Sequence, residues 1–131
     1  MSKLYRAIVV DDERLARNDL RLLLNNHKNI EVLGEASNGQ DALDMIKDLK
    51  PDLVFLDIQM PGMNGFDVLE HISSDVKVIF VTAFDEFALR AFEVNALDYL
   101  LKPVSDERLL QSIERLELIP DEAEEASREL E

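Results

Sequence analysis

Five short, β-rich apolar runs alternate along the chain with segments of helical periodicity, and this alternation constrains the fold more than any other feature. The runs are Tyr5 to Val10, Ile30 to Ala36, Leu53 to Leu56, Val76 to Val81 and Ala96 to Leu101. Between them, apolar residues recur three or four positions apart, as in Ala16, Leu20, Leu23 and Leu24, or in Ala42, Met45, Ile46 and Leu49. Strand followed by helix, five times over, predicts an α/β fold with a doubly wound parallel sheet, because each right-handed crossover packs a helix back onto the sheet. The spacing predicts helices of about 9–14 residues.

Local signals refine this outline. Ile30, Val32, Gly34 and Ala36 alternate with Glu31, Leu33 and Glu35, and the more polar face predicts an edge strand. Asn38-Gly39 opens the second helix and Lys50-Pro51 stops it. Asn64 is placed to cap a third helix carrying Phe66, Leu69 and Ile72. Phe84, Phe87, Ala88, Ala91 and Phe92 predict a core-facing stripe on the fourth helix. Ser105 is placed to cap a fifth, with Leu109, Ile113 and Leu116 facing inward.

Composition then bounds the class. The 131 residues suit one domain, and 47% hydrophobic with 32% charged residues is a soluble globular balance. The apolar runs fall far short of a membrane span, and no secretory h-region follows Met1, so a cytoplasmic protein is expected. Cysteine is absent, which excludes disulfides and thiolate metal sites. A net charge of −14 argues against nucleic-acid binding by this chain alone, since that affinity begins with neutralising phosphates. Seven acids and one base fall between Glu117 and Glu131. A domain over residues 1–118 is therefore expected, with an acidic tail over 119–131 that is the start of a linker or a cloning remnant.

Ligands of open parallel sheets bind beyond the C-terminal strand ends. Those ends are Asp11-Asp12, Asp57, Thr82 and Lys102. Singly, such residues are most often a helix cap, an ordinary strand threonine and a solvated lysine. Together they predict three carboxylates, one hydroxyl and one ammonium on a single rim. Oxygen ligands without His or Cys favour a hard cation, and Mg²⁺ suits a site that must also receive a phosphate. Phosphoryl transfer needs an in-line nucleophile, a cation and donors for the remaining charge. Asp57 suits the first role, Mg²⁺ the second, and Lys102 with Thr82 the third. Tyr99, Phe84, Phe87 and Phe92 are read as core residues, and His27 and His71 as surface residues.

The segments Val9-Val10-Asp11-Asp12-Glu13, Leu56-Asp57-Ile58-Gln59-Met60-Pro61-Gly62-Met63-Asn64-Gly65, Val81-Thr82-Ala83 and Leu101-Lys102-Pro103 resemble the receiver domain of bacterial response regulators. The likeness spans residues 4–118, and the stretch from Val81 to Val104 is similar to receivers of the LytR/AlgR type, usually followed by a LytTR DNA-binding domain. The resemblance implies a flavodoxin-like sheet of order 2-1-3-4-5 with five helices, and a signalling module without a separate turnover substrate. It implies phosphorylation of Asp57 by a sensor histidine kinase, with Mg²⁺ held by Asp12, Asp57 and the Gln59 backbone carbonyl, and by Asp11 through water. It further implies contacts of Thr82 and Lys102 with the phosphoryl group and a cis Lys102-Pro103 bond. A switch through Thr82, Tyr99, Lys102 and Pro103 would lead to homodimerisation on phosphorylation.

Three other functions compete. A dehalogenase-type phosphatase needs an acid two residues after its nucleophile, where this chain has Gln59. A flavin-binding module needs a donor-rich loop after the first strand, where this chain has Asp11-Asp12-Glu13. A phosphorylation-independent receiver acting as a protein-binding module is the remaining alternative, although this chain keeps the full set of acids and the lysine.

Overall fold

The computed structural model describes residues 3–120. Ten elements alternate: β1 (Tyr5–Val10), α1 (Arg14–Leu24), β2 (Ile30–Ala36), α2 (Gly39–Leu49), β3 (Leu53–Leu56), α3 (Gly65–Leu69), β4 (Lys77–Thr82), α4 (Ala88–Glu93), β5 (Asp98–Leu101) and α5 (Asp106–Glu117). The strands form one parallel sheet of order β2-β1-β3-β4-β5, the flavodoxin-like order. Most of the expected acidic tail, from residue 121 onward, lies outside the described residues.

Strand pleating divides the core in two, since successive side chains point to opposite faces. Ala7, Val9, Leu53, Phe55, Ile79 and Val81 pack with Leu20 and Leu24 of α1 and Leu109, Ile113 and Leu116 of α5. Ile8, Val10, Val54, Leu56, Val78 and Phe80 pack with Ala42 of α2, Phe66 and Val68 of α3 and Ala91 of α4. Burial on both faces explains why β1, β3 and β4 read as continuous apolar runs.

The helix termini follow local chemistry. Asn38 accepts from the Asp41 amide at 2.8 Å, and Ser105 accepts from the Arg108 amide at 3.1 Å. Asn64 and Asp67 form a reciprocal capping box. Lys50 takes a left-handed conformation, φ 49°, immediately before Pro51, and so ends α2.

Three expectations need correction. The helices α3 and α4 have only 5 and 6 residues, short of the predicted length, and Ile72 lies past the end of α3. On α4, Phe92 is 79% exposed and Phe84, just before the helix, is 40% exposed, so only Phe87 and Ala91 of that stripe join the core. Periodicity groups residues on a face but does not supply something for the face to pack against.

The third correction concerns β2. Its alternation is broken, because the register passes from Ala7↔Val32 directly to Ile8↔Gly34 and leaves Leu33 over. Ile30 and Val32 therefore face α1, whereas Leu33 and Ala36 face α2. One extra residue in a strand exchanges the faces of everything beyond it.

Candidate functional site

Each chemically active residue sits where a strand leaves the sheet. The β1 chain ends at Asp11, whose amide donates to the Ala36 carbonyl at 3.1 Å. The Asp57 amide donates to the Val10 carbonyl at 3.0 Å, which sets the β3 end beside the β1 end. Carboxylate oxygens of Asp11, Asp12 and Asp57 all lie within 4.8 Å of one another. Asp11 and Asp57 are each only 4% exposed, and Asp12 is open to solvent.

Lys102, at the end of β5, reaches across this rim. Its Nζ lies 2.7 Å from Asp11 Oδ2 and donates to Asp57 Oδ2 at 3.2 Å. The Lys102 amide donates to the Thr82 carbonyl at 2.8 Å, so the ends of β4 and β5 stay in register. The Lys102–Pro103 peptide is cis. Asp57 Oδ1 accepts from the Ile58 amide at 2.7 Å, and Asp11 Oδ1 accepts from the Glu13 amide at 2.9 Å.

Burial, together with the neighbouring Asp11 carboxylate, pushes the Asp57 carboxyl above its usual range, against the opposing pull of Lys102. Burial pulls Lys102 down, but hydrogen bonds and attraction from Asp11 and Asp57 outweigh it and raise its pKa overall. A folded-state pKa above the unfolded one means that the Asp57 contribution to stability is present in acid and lost as pH rises through the folded value. Asp57→Asn is accordingly expected to stabilise the metal-free protein at neutral pH relative to wild type. Lys102 keeps its nearer partner, Asp11, in that variant. Denaturant midpoints measured from pH 4 to 8 check this; the two proteins should diverge as pH rises, and a less stable variant at pH 7.5 would refute it.

The structure brings Asp11, Asp12, Asp57 and Lys102 together. Thr82 is fully buried at the neighbouring strand end, where its Oγ1 accepts from the Phe84 amide at 3.4 Å. Tyr99 is half-buried, its ring 6.5 Å from Phe80, and its hydroxyl donates to the Phe84 carbonyl. Thr82 and Tyr99 thus hold the amide and the carbonyl of the same residue. Gln59, two residues after Asp57, is exposed between the buried Ile58 and Met60, and Pro103 is exposed.

Sequence reasoning missed two polar clusters elsewhere in the fold. At the start of β5, Asp98 receives both Arg108 guanidinium nitrogens at 2.8 Å, the Tyr99 amide at 2.8 Å and the Ser112 hydroxyl at 2.5 Å. An acid inside an otherwise apolar strand was the available signal, since a buried carboxylate needs partners. At the edge of the sheet, Glu35 binds Arg17 at 2.9 Å and Arg21 at 2.7 Å. No periodicity announces that contact, because it depends on the β2 irregularity.

The donor set fits a divalent cation. Three close carboxylates without nitrogen or sulfur ligands form a hard, strongly negative site, as Mg²⁺ requires. No helix among the described residues is long and apolar enough to cross a membrane.

Comparison with known proteins agrees with this geometry. Residues 7–114 match the family model described as "Response regulator receiver domain". An uncharacterized response regulatory protein of Vibrio cholerae is 52% identical over 112 residues, covering 84% of this chain and 47% of the relative. The sensory transduction protein LytT of Bacillus anthracis is 45% identical over 115 residues, covering 86% of this chain and 47% of that protein. The chain thus spans about half the length of these curated relatives. The crystal structure of the response regulatory domain of protein mrkE from Klebsiella pneumoniae superposes with a TM-score of 0.77 at 34% identity, covering 85% of this chain and 93% of that one. With its 2-1-3-4-5 sheet and its acidic rim, the chain belongs to the response regulator receiver domain family.

Proposed function

We propose that this chain accepts a phosphoryl group on Asp57 from a sensor histidine kinase and relays the event through the face formed by α4, β5 and α5. The observation that carries this proposal is the gathering of Asp11, Asp12 and Asp57 at one point, with Lys102 bridging two of them. An Asp57 carboxylate oxygen attacks the phosphorus of a phosphohistidine. A P–O bond forms, the P–N bond breaks, and the departing imidazole nitrogen takes up a proton.

Asp12 and Asp57 side chains, the Gln59 carbonyl and Asp11 through water would hold Mg²⁺. When bound, the cation neutralises charge on the phosphoryl oxygens. Lys102 exchanges its contact with Asp57 for one with a phosphoryl oxygen, and Thr82 releases the Phe84 amide to donate its hydroxyl to another. Tyr99, bound to the same residue, is then free to turn inward, and the α4–β5–α5 face shifts between two pre-existing arrangements. Leu89 and Phe92 on α4, Leu101 on β5 and Leu110 on α5 are exposed, which supports pairing of two phosphorylated copies through this face. The relatives are about twice as long as this chain. Output is therefore assigned to a LytTR DNA-binding domain beyond it, controlling transcription.

The test is intact mass after incubation with acetyl phosphate, with and without Mg²⁺, followed by sedimentation of the same samples. One phosphoryl adduct is expected, dependent on Mg²⁺, absent in Asp57→Asn, and accompanied by a shift to dimer. A folded wild type that gains no adduct from acetyl phosphate or from any histidine kinase would leave the phosphorylation-independent binding module in its place. An adduct that persists in Asp57→Asn would reject the assigned acceptor.

A further inference from the structure

We infer that Arg17, held by Glu35, is a positioning residue for the cation site: it fixes the loop that presents Asp11 and Asp12. Arg17 lies one turn into α1, and its guanidinium has two engagements that point in different directions. Its Nε donates to Glu35 Oε1 at 2.9 Å, and its Nη1 donates to the backbone carbonyl of Asp11 at 2.8 Å. The side chain is only 16% exposed, so both bonds are sheltered from competing water.

The loop after β1 would otherwise be weakly held. Glu13, the residue before α1, makes no side-chain cap. Instead, the Glu13 amide turns back to Asp11 Oδ1 at 2.9 Å. The Asp11 amide is fixed by Ala36 and its Oδ2 by Lys102. The Arg17 bond to the Asp11 carbonyl completes this set and clamps the peptide that joins Asp11 to Asp12. Asp12 then leaves the loop in one direction with its carboxylate exposed, next to the carboxylates of Asp11 and Asp57.

The anchor for this clamp is on the edge strand. Strict alternation from Ile30 would turn Glu35 away from α1. The register shift at Leu33 turns it back, placing it opposite Val9 and against Arg17 and Arg21. Burial raises the Glu35 carboxyl, but its bonds to Arg21 and Arg17 outweigh that and keep it below the usual range, so the anchor stays charged. The β2 irregularity therefore connects the sheet edge to the geometry of the rim.

Electrostatics and positioning predict opposite signs, which makes the inference testable. Removing a positive charge near a cation site tightens cation binding if charge alone matters. Removing a residue that orients the liganding loop weakens it, typically by tenfold or more. This inference rests on the cation site of the proposed function. The experiment is calorimetric titration of Mg²⁺ into the full 131-residue chain, comparing wild type, Arg17→Met and Arg17→Lys at a temperature where circular dichroism shows all three folded. Amide hydrogen exchange at Glu13 is followed in the metal-free proteins.

Arg17→Met is expected to raise the Mg²⁺ Kd about tenfold and to speed exchange at Glu13 selectively. Arg17→Lys keeps the charge but not the two-ended guanidinium contact, and is expected to remain weakened. Unchanged or tighter Mg²⁺ binding in Arg17→Met, with wild type binding normally, would overturn the inference alone. Should Arg17→Met fail to fold, full wild-type affinity in Arg17→Lys would overturn it equally. A wild type that binds no Mg²⁺ would overturn the metal site and this inference together.

Discussion

Asp98→Ala is expected to lower the stability of the domain by about 3–4 kcal/mol and its Tm by about 10–20 °C, a large effect for a residue outside the acidic rim. The Asp98 side chain is 5% exposed and accepts from Arg108, Ser112 and the Tyr99 amide. Its removal leaves the fully buried Ser112 hydroxyl and the Tyr99 amide without their acceptor, and deprives the half-exposed Arg108 of its bidentate partner. Burial raises the Asp98 carboxyl, but the bonds from Arg108, Ser112 and Tyr99 hold it below the usual range on balance. A depressed folded-state pKa contributes stability that is present above the unfolded value and lost as pH falls through the folded one. Wild type and variant should therefore differ most near neutrality and converge in strong acid. Urea midpoints at several pH values measure this, and a gap that stayed constant into acid would show that the lost energy is packing rather than charge.

Gly65→Ala should damage the Asp57 loop directly. A Cβ at this position would lie 2.5 Å from the Asp57 carbonyl oxygen and 3.0 Å from Ile58 Cα, both backbone atoms with little room to yield. The Gly65 amide also donates to the Ile58 carbonyl at 2.9 Å, tying α3 to the residue after Asp57. Overpacking of this kind costs about 1–3 kcal/mol. Displacing Asp57 from an in-line position is expected to slow phosphorylation by roughly 10²-fold. Gly62→Ala provides the contrast. Gly62 has φ +79° with nothing within 4 Å, so alanine there is strained, at about 1–2 kcal/mol, but does not touch Asp57. Stopped-flow rates with acetyl phosphate should fall for Gly65→Ala and stay near wild type for Gly62→Ala; equal rates in the two variants would remove Gly65 from any role in placing Asp57.

The exposed surface of α4 has a related physical origin. Among its six residues only Ala91 is buried, and neither terminus has a side-chain cap. Arg90 lies over the Phe66 ring at 4.0 Å, a contact that joins α4 to α3. A helix with so little burial is held weakly, in keeping with the movement of α4 proposed above.

The five-fold strand–helix alternation, the parallel sheet, the edge position of the second strand and the set of residues at the strand ends were all legible in the sequence. These are properties of short segments: a pleated strand buried on both faces must be apolar throughout, and a polar residue after it marks where the apolar run stops. The Asp98–Arg108–Ser112 and Glu35–Arg17–Asp11 networks, the shortness of α3 and α4, and the exposure of Phe84 and Phe92 come from packing between elements. Each depends on what a residue meets from another element. The single extra residue at Leu33 illustrates the difference most directly. Nothing in the alternating pattern from Ile30 to Ala36 signals it, yet it decides which face Glu35 occupies, because strand faces follow the pairing register with β1 and not the order of residues within β2.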